Sequence, residues 1–256
     1  MYKEKNSYSI HGIPVLKDNI IWILVKGTEA VVIDPAIAKP VEMWLKNQNL
    51  KLIAVLQTHH HDDHIGGTKS LIKQWPGATV IASGADRNRI PFQTLSVTGG
   101  DDLTLMGLSM KVLDVAGHTN THLAYYIPPK EDSVGGNKKA SLFCGDTLFG
   151  GGCGRLFEGT PEKMYKSLRL LNELPENTKV YCAHEYTKSN LLWALSIYPK
   201  DVLIKKRLES VNKRREEGLL TIPTTILEER ETNLFIRAKD VEEFSQLRLH
   251  KDNWRE

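Results

Sequence analysis

Thr58-His59-His60-His61-Asp62-Asp63-His64-Ile65-Gly66-Gly67 decides how the rest of this chain is read. Imidazole and carboxylate side chains together are ligands for transition metals such as Zn, Fe or Mn. A short apolar run, 52–56, precedes the stretch and reads as a buried strand, and a helical segment at 68–74 follows its two glycines. Side chains alternate along an extended segment, so His59 and His61 point one way and His60 the other. Asp63 and His64 fall where the chain turns into the helix and project along a different vector. The pattern predicts two adjacent ligand groups. A purification tag is terminal and uniform, whereas this run is internal and mixed with aspartate.

Working outward, three more apolar strands end in a ligand-type residue. These are 110–115 before His118, 141–144 before Asp146 and 180–183 before His184. Ligands gathered at strand ends suit an α/β sheet with its site along one edge. Five of the nine histidines then hold a motif or strand-end position: His59, His61, His64, His118 and His184. Asp63 and Asp146 complete the set. One zinc ion needs three or four protein ligands; this set suits two ions, three terminal ligands each, with one shared carboxylate. His60, His11, His250 and His122 are read as structural, His122 because it follows His118 without an identifiable partner. Cys144 and Cys182 lie inside strands as core residues, and Cys153 in a glycine turn is not a ligand.

Upstream, 8–16, 20–25 and 30–33 read as strands, with Gly27 at a hairpin and Asp34-Pro35 closing the third. Val41, Trp44 and Leu45 recur at helical spacing over 40–47. The start of the 68–74 helix is expected to face the metal site. Weaker strands fall within 83–109, another at 123–127, and Pro128 to Ala140 reads as an exposed loop. Thr160-Pro161 is an N-cap and first helical residue for a helix presenting Met164, Leu168 and Leu171 on one face. After His184 only helical periodicity continues, over 191–198, 202–217, near Ile226 and over 241–249. A metal-binding catalytic domain at 1–184 and a small helical domain at 185–256 follow.

The chain has 256 residues and a net charge of +3, which is no electrostatic argument for nucleic acid. The basic runs 205–207 and 213–215 are interleaved with glutamates and read as a solvated face. The polar N-terminus lacks a signal-peptide apolar core. No run approaches the roughly 18 apolar residues of a membrane span. Three cysteines suit a reduced, cytoplasmic compartment better than a disulfide scaffold.

The spacing H-x-H-x-D-H resembles the metallo-β-lactamase superfamily. Within it, THHHDDHIGG at 58–67, AGHT at 116–119, FCGDTLF at 143–149, GGCGRLFEGT at 151–160, AHEYTKSN at 183–190 and TIPTTILEE at 221–229 are similar to the glyoxalase II (hydroxyacylglutathione hydrolase) family. The resemblance implies an α/β fold, an αββα sandwich of two stacked sheets followed by the helical domain. It implies one metal on His59, His61 and His118 and a second on Asp63, His64 and His184. Asp146 bridges them, and Asp63 and Asp146 act as the catalytic carboxylates around an activated water. Zn, Fe and Mn are all compatible with such a pair of divalent ions.

The implied substrate is a small-molecule glutathione thioester, S-D-lactoylglutathione, cut to D-lactate and glutathione in methylglyoxal detoxification by a cytoplasmic monomer. Arg155, Phe157, Tyr186, Asn190, Arg248 and Lys251 would contact glutathione. Some members carry tyrosine at the place of Phe157, so one hydrogen bond is missing here. Position and resemblance also give Asp34 a role in holding a ligand histidine, against a plain turn role before Pro35. A lactonase, a nuclease or a one-iron glutathione-persulfide dioxygenase are the alternative activities of the superfamily.

Overall fold

A computed structural model describes residues 8–129 and 140–255. Most of the loop expected at 128–140 lies outside the described residues. The N-terminal half forms a sheet in the order β1-β2-β3-β4-β5-β6. Its strands are Ser9–Val15, Asn19–Lys26, Glu29–Ile33, Lys51–Leu56, Thr79–Ser83 and Leu95–Val97. The first three pair antiparallel and the last four parallel. The second sheet runs β14-β13-β10-β9-β8-β7. It is built from Asp102–Leu105 (β7), Leu108–Asp114 (β8), Leu123–Ile127 (β9), Ser141–Gly145 (β10), Lys179–Cys182 (β13) and Thr224–Thr225 (β14). A two-stranded ribbon, Leu148–Phe149 (β11) with Gly152–Cys153 (β12), completes the strands.

Strand β2 shows why the sheets stack. Ile20, Trp22 and Leu24 join a core shared with Met110, Val112 and Phe143 of the second sheet. The alternate residues Ile21 and Ile23 join Val41 and Leu45 of helix α1 (Ala38–Asn47) and Leu71 of α3 (Thr68–Gln74). A strand buried on both faces needs apolar residues throughout, which is why β2 reads as a continuous apolar run. Helix α4 (Pro161–Asn172) covers the second sheet side with Met164, Leu168 and Leu171, its Thr160 cap accepting from the Lys163 amide. The architecture is the αββα sandwich, two sheets rather than one open sheet.

Past His184 come α5 (Thr187–Ile197), α6 (Val202–Glu216), α7 (Ile226–Thr232), α8 (Leu234–Arg237) and α9 (Val241–Asn253). This segment is not purely helical, because β14 pairs with β13 and extends the second sheet. Buried Glu229 ties the helices to the glycine turn. It accepts from the Gly151 amide at 2.8 Å, from Asn233 at 2.8 Å and from Arg207 at 2.6 Å. Arg207 therefore belongs to an internal ion pair, not to a solvated basic face. Arg214 is likewise engaged, donating to the Leu220 carbonyl at 2.7 Å and 2.9 Å.

Candidate metal centre and cleft

The His59–His64 run leaves β4 as an irregular turn and enters a short helix, α2 (Asp62–Ile65), which periodicity at this length does not reveal. At the start of helix α3 the first amide is already engaged within the fold. The Gly67 amide donates to the Pro35 carbonyl at 2.7 Å, and a Cβ there would strike the backbone of Ile37 and Ala38. His60 does point away, toward Glu158 at 3.5 Å and Arg89 at 3.2 Å.

The predicted ligands fall into groups whose donor atoms converge: His59, His61 and His118; Asp63, His64 and His184; and His59 and His64 with Asp146. In the first, His118 Nδ1 lies 2.8 Å from the Arg155 carbonyl, which can only accept, so this nitrogen carries the proton and Nε2 a lone pair. His59 Nδ1 similarly meets Thr58 Oγ1 at 3.1 Å, whose hydroxyl donates onward to Asp34 at 2.7 Å. Both free Nε2 atoms then point at His61 Nδ1, at 3.0 and 3.1 Å. One proton cannot serve three nitrogens, so the cluster is shaped for a cation.

The second group has the same logic. His64 Nδ1 faces Asp34 Oδ2 at 3.1 Å, and His184 Nδ1 faces Asp18 Oδ1 at 2.8 Å. Their Nε2 atoms look inward, 3.6 and 3.5 Å from Asp63 Oδ2. Asp146 sits between the groups. Its Oδ1 is 3.5 Å from His64 and 3.3 Å from His184, while its Oδ2 is 3.5 Å from His118. His64 Nε2 and Asp146 Oδ1 are buried without a hydrogen-bond partner. Buried polar atoms are rarely left unpaired, and a donor set of imidazole and carboxylate fits two divalent ions.

Electrostatics divides the groups. Burial, then the neighbouring His64, holds His59 well below the ordinary imidazole range; burial also lowers His61 and His118. For His64 burial works against charge, but Asp146 and Asp34 outweigh it and raise the imidazole well above its usual value. His184 is raised against burial by Asp146 and Asp18. Burial opposes the Asp146 carboxylate, yet His64 and His184 hold it far below the carboxylate range.

Four residues outside the predicted set shape the centre. His122 is stacked on His59 with ring centres 4.6 Å apart, and its Nε2 accepts the Asp146 amide at 3.1 Å. It does have a partner, one that spacing from His118 could not reveal. Asp18 and Asn19 hold His184 and Asp63 from the end of the β1–β2 turn and the start of β2, where turn composition disguises them. Gly145, at φ +48°, places Asp146, because a Cβ there would strike the Thr58 hydroxyl and the His122 ring.

A cleft of about 650 Å³ opens from Asp146 and His118 toward α9. All six residues expected to contact glutathione line it. Phe157 is 64% exposed, with its ring 5.2 Å from His118 and 5.6 Å from His61. Tyr186 lies flat on His184, ring centres 4.9 Å apart, its phenol pushed up by burial and Asp18. Asn190 donates to the Gly150 carbonyl at 3.0 Å. Arg155 is exposed beside Asp252, 3.8 Å away. Cys153 belongs to neither metal group; burial pushes its thiol up to about 11 despite Arg248.

Fold and paired ligand groups together define a metallo-β-lactamase-type metalloprotein, and the family model described as "Metallo-beta-lactamase superfamily" matches residues 19–184. A second model, "Hydroxyacylglutathione hydrolase C-terminus", matches 185–254. The chain is 61% identical over 254 residues to the hydroxyacylglutathione hydrolase of Prochlorococcus marinus strain MIT 9211, covering 99% of both. It is 58% identical to that of Parasynechococcus marenigrum strain WH8102, covering 96% of this chain and 98% of the relative. The chain belongs to the hydroxyacylglutathione hydrolase family. Among solved structures it shares its fold with the B3 metallo-β-lactamase BLEG-1, at TM-score 0.67 and 22% identity over 90% of this chain and 100% of that one. ETHE1 from Myxococcus xanthus also matches, at TM-score 0.67 and 24% identity over 94% and 90%.

Proposed function

We propose that this chain hydrolyses S-(2-hydroxyacyl)glutathione thioesters, turning S-D-lactoylglutathione and water into D-lactate and glutathione. In this reading it serves methylglyoxal detoxification as a cytoplasmic monomer. The observation that carries the proposal is the placement of two convergent ligand groups at one end of a cleft bordered by Lys17, Arg155, Lys251 and Arg255. Glutathione carries two carboxylates, which such a cleft suits. We assign His59, His61 and His118 to one ion, Asp63, His64 and His184 to the other, and Asp146 to both, with Zn the first choice and Fe or Mn compatible.

Bound there, divalent ions supply Lewis acidity that makes water nucleophilic near neutral pH and stabilises charge developing on a carbonyl oxygen. The chain's part is orientation. Asp146 keeps the two groups in register, and the residues from 185–256, Tyr186, Asn190, Arg248 and Lys251, form the wall that receives the peptide. Phe157 lies over His61 and His118, where it screens the reacting end from solvent. Water's oxygen joins the acyl carbon, the C–S bond breaks, and the water's proton finishes on the thiol or in solvent. A thiolate of pKa about 8.5 leaves without a proton donor. Neither the Tyr186 phenol nor the Cys153 thiol, both pushed up, is suited to act as that donor. The test is free-thiol release from S-lactoylglutathione beside its amide analogue: thioester cleavage should exceed amide cleavage by orders of magnitude. No thiol release by protein carrying two ions overturns the function.

A further inference from the structure

The turn between β1 and β2, residues 16–18, and the first residue of β2, Asn19, carry none of the seven assigned ligands, yet Asp18 and Asn19 converge on one of the two groups. Asp18 Oδ1 accepts from His184 Nδ1 at 2.8 Å, which leaves His184 Nε2 aimed at the Asp63 and Asp146 carboxylates. Asn19 is buried, and its Nδ2 donates twice to Asp63, to the main-chain carbonyl at 3.1 Å and to Oδ2 at 3.0 Å. Asp63 needs this more than its neighbours do. Its side chain is 42% exposed, against 0% for His64, 4% for His184 and 10% for Asp146. A half-exposed carboxylate without a hydrogen bond samples several rotamers.

Backbone contacts fix the turn to the same place. The Ile20 amide donates to the Ala183 carbonyl at 2.7 Å and the Glu185 amide to the Asp18 carbonyl at 2.9 Å, with Asn19 bridged to His184. The first group is held elsewhere, His59 by Thr58 and His118 by the Arg155 carbonyl.

We propose that Asp18 and Asn19 are positioning residues dedicated to the Asp63–His64–His184 group, so that, beyond Asp34, which serves both groups, each half of the centre has a support of its own and can be emptied one at a time. This rests on the two-ion reading above. Partners that orient a metal ligand typically account for 10–100-fold in affinity. Through Asn19 and Asp18 that loss falls on one ion only.

The experiment is Zn(II) equilibrium dialysis against a chelator buffer, with metal counted per chain and folding followed by circular dichroism. Wild type, Asn19→Ala, Asp18→Ala and the shape-preserving Asp18→Asn are compared. Expected are two ions in wild type and, in the variants, one ion at wild-type affinity with the other weakened about 10–100-fold, less in Asp18→Asn. Asn19→Ala combined with His61→Ala should weaken both ions, since the substitutions strike different groups. Equal weakening of both ions by Asn19→Ala, or two ions at unchanged affinity, overturns the proposal. If Asn19→Ala fails to fold, Asp18→Asn decides the question by the same two outcomes. Wild type that binds a single ion overturns the two-ion reading itself.

Discussion

Asp34→Asn tests how far the ligand geometry depends on one buried proton pattern. Asp34 closes β3 at φ +49°, a conformation aspartate and asparagine tolerate better than most residues. Its Oδ1 accepts the Thr58 amide at 2.8 Å, and its Oδ2 accepts the Thr58 hydroxyl at 2.7 Å and His64 Nδ1 at 3.1 Å. An asparagine amide cannot reproduce this. With its nitrogen toward the Thr58 amide, two donors face each other in a buried site, which costs about 1–3 kcal/mol. With its nitrogen toward His64, the imidazole must accept at Nδ1. Its proton then moves to Nε2, the atom aimed at Asp63 and Asp146. The Thr58 hydroxyl turns toward His59 Nδ1 and threatens the same reversal there. Metal affinity should fall about 10–100-fold, equivalent to roughly 1.4–2.8 kcal/mol at 1.4 kcal/mol per decade. Chelator competition with Zn(II) measures it, and circular dichroism shows that the chain remains folded. Unchanged affinity in a folded variant would refute the role of Asp34 in fixing the tautomers and leave it a turn residue before Pro35.

Acid should empty the two groups in order. His64 and His184 are raised by Asp146 and its carboxylate neighbours against burial, so protons compete with metal there first, whereas the lowered His59, His61 and His118 stay unprotonated. Metal content after dialysis across falling pH should step from two to one; simultaneous loss contradicts this. In the metal-free chain those two raised imidazoles add stability that is complete below the ordinary imidazole pKa and lost as pH rises through their folded values. His122→Phe keeps a ring on His59 but strands the buried Asp146 amide, and should cost about 1–3 kcal/mol by thermal or urea unfolding. Glu229→Ala removes a buried carboxylate from its ion pair with partly buried Arg207 and should cost about 3–5 kcal/mol by urea unfolding; a loss under about 1 kcal/mol would show that the helices are not anchored there. Lys251→Met should raise the KM for a glutathione thioester about 10–150-fold, the worth of one charged hydrogen bond. Metal content and cleavage of a small thioester lacking glutathione should stay constant.

The residues proposed as ligands stand out in the sequence because each lies at the end of an apolar strand or in one dense motif, and both signals are local. The strands themselves were legible for the same reason: β2 to β4 and β8 to β10 are apolar over most of their length. What stayed hidden depends on pairing across long separations. Asp18 reaches His184 over 166 positions, and Glu229 reaches Gly151 over 78. Such contacts leave no period in the sequence. The short elements β11, β12 and β14 have too few residues for a pattern. That two sheets stack rather than one lying open came from resemblance, since strand count alone does not distinguish them.

The final helix carries two of the residues proposed to contact glutathione, and they are held in different ways. Spacing puts Arg248 and Lys251 on one face of α9, and both do line the cleft. Their surroundings differ. Arg248 is 5% exposed; it donates to the Cys153 carbonyl at 3.0 Å and to Asp252 at 2.8 and 3.1 Å, with its guanidinium 4.9 Å from the centre of the Phe235 ring. Much of its donor capacity is spent fastening α9 to the β11–β12 ribbon. The Lys251 ammonium donates to the Ser189 carbonyl at 3.4 Å and stands 4.5 Å from the Trp254 ring centre and 5.3 Å from that of Trp193. A guanidinium held by a fixed fork is suited to build a wall, and an ammonium on a flexible stem to meet a ligand. Truncating Arg248 therefore mixes lost structure with lost charge, because Asp252 and the Cys153 carbonyl both lose a donor. Lys251→Met removes the ammonium but keeps the apolar stem against Trp193 and Trp254, so it separates substrate recognition from the integrity of the cleft more cleanly than truncating Arg248 does.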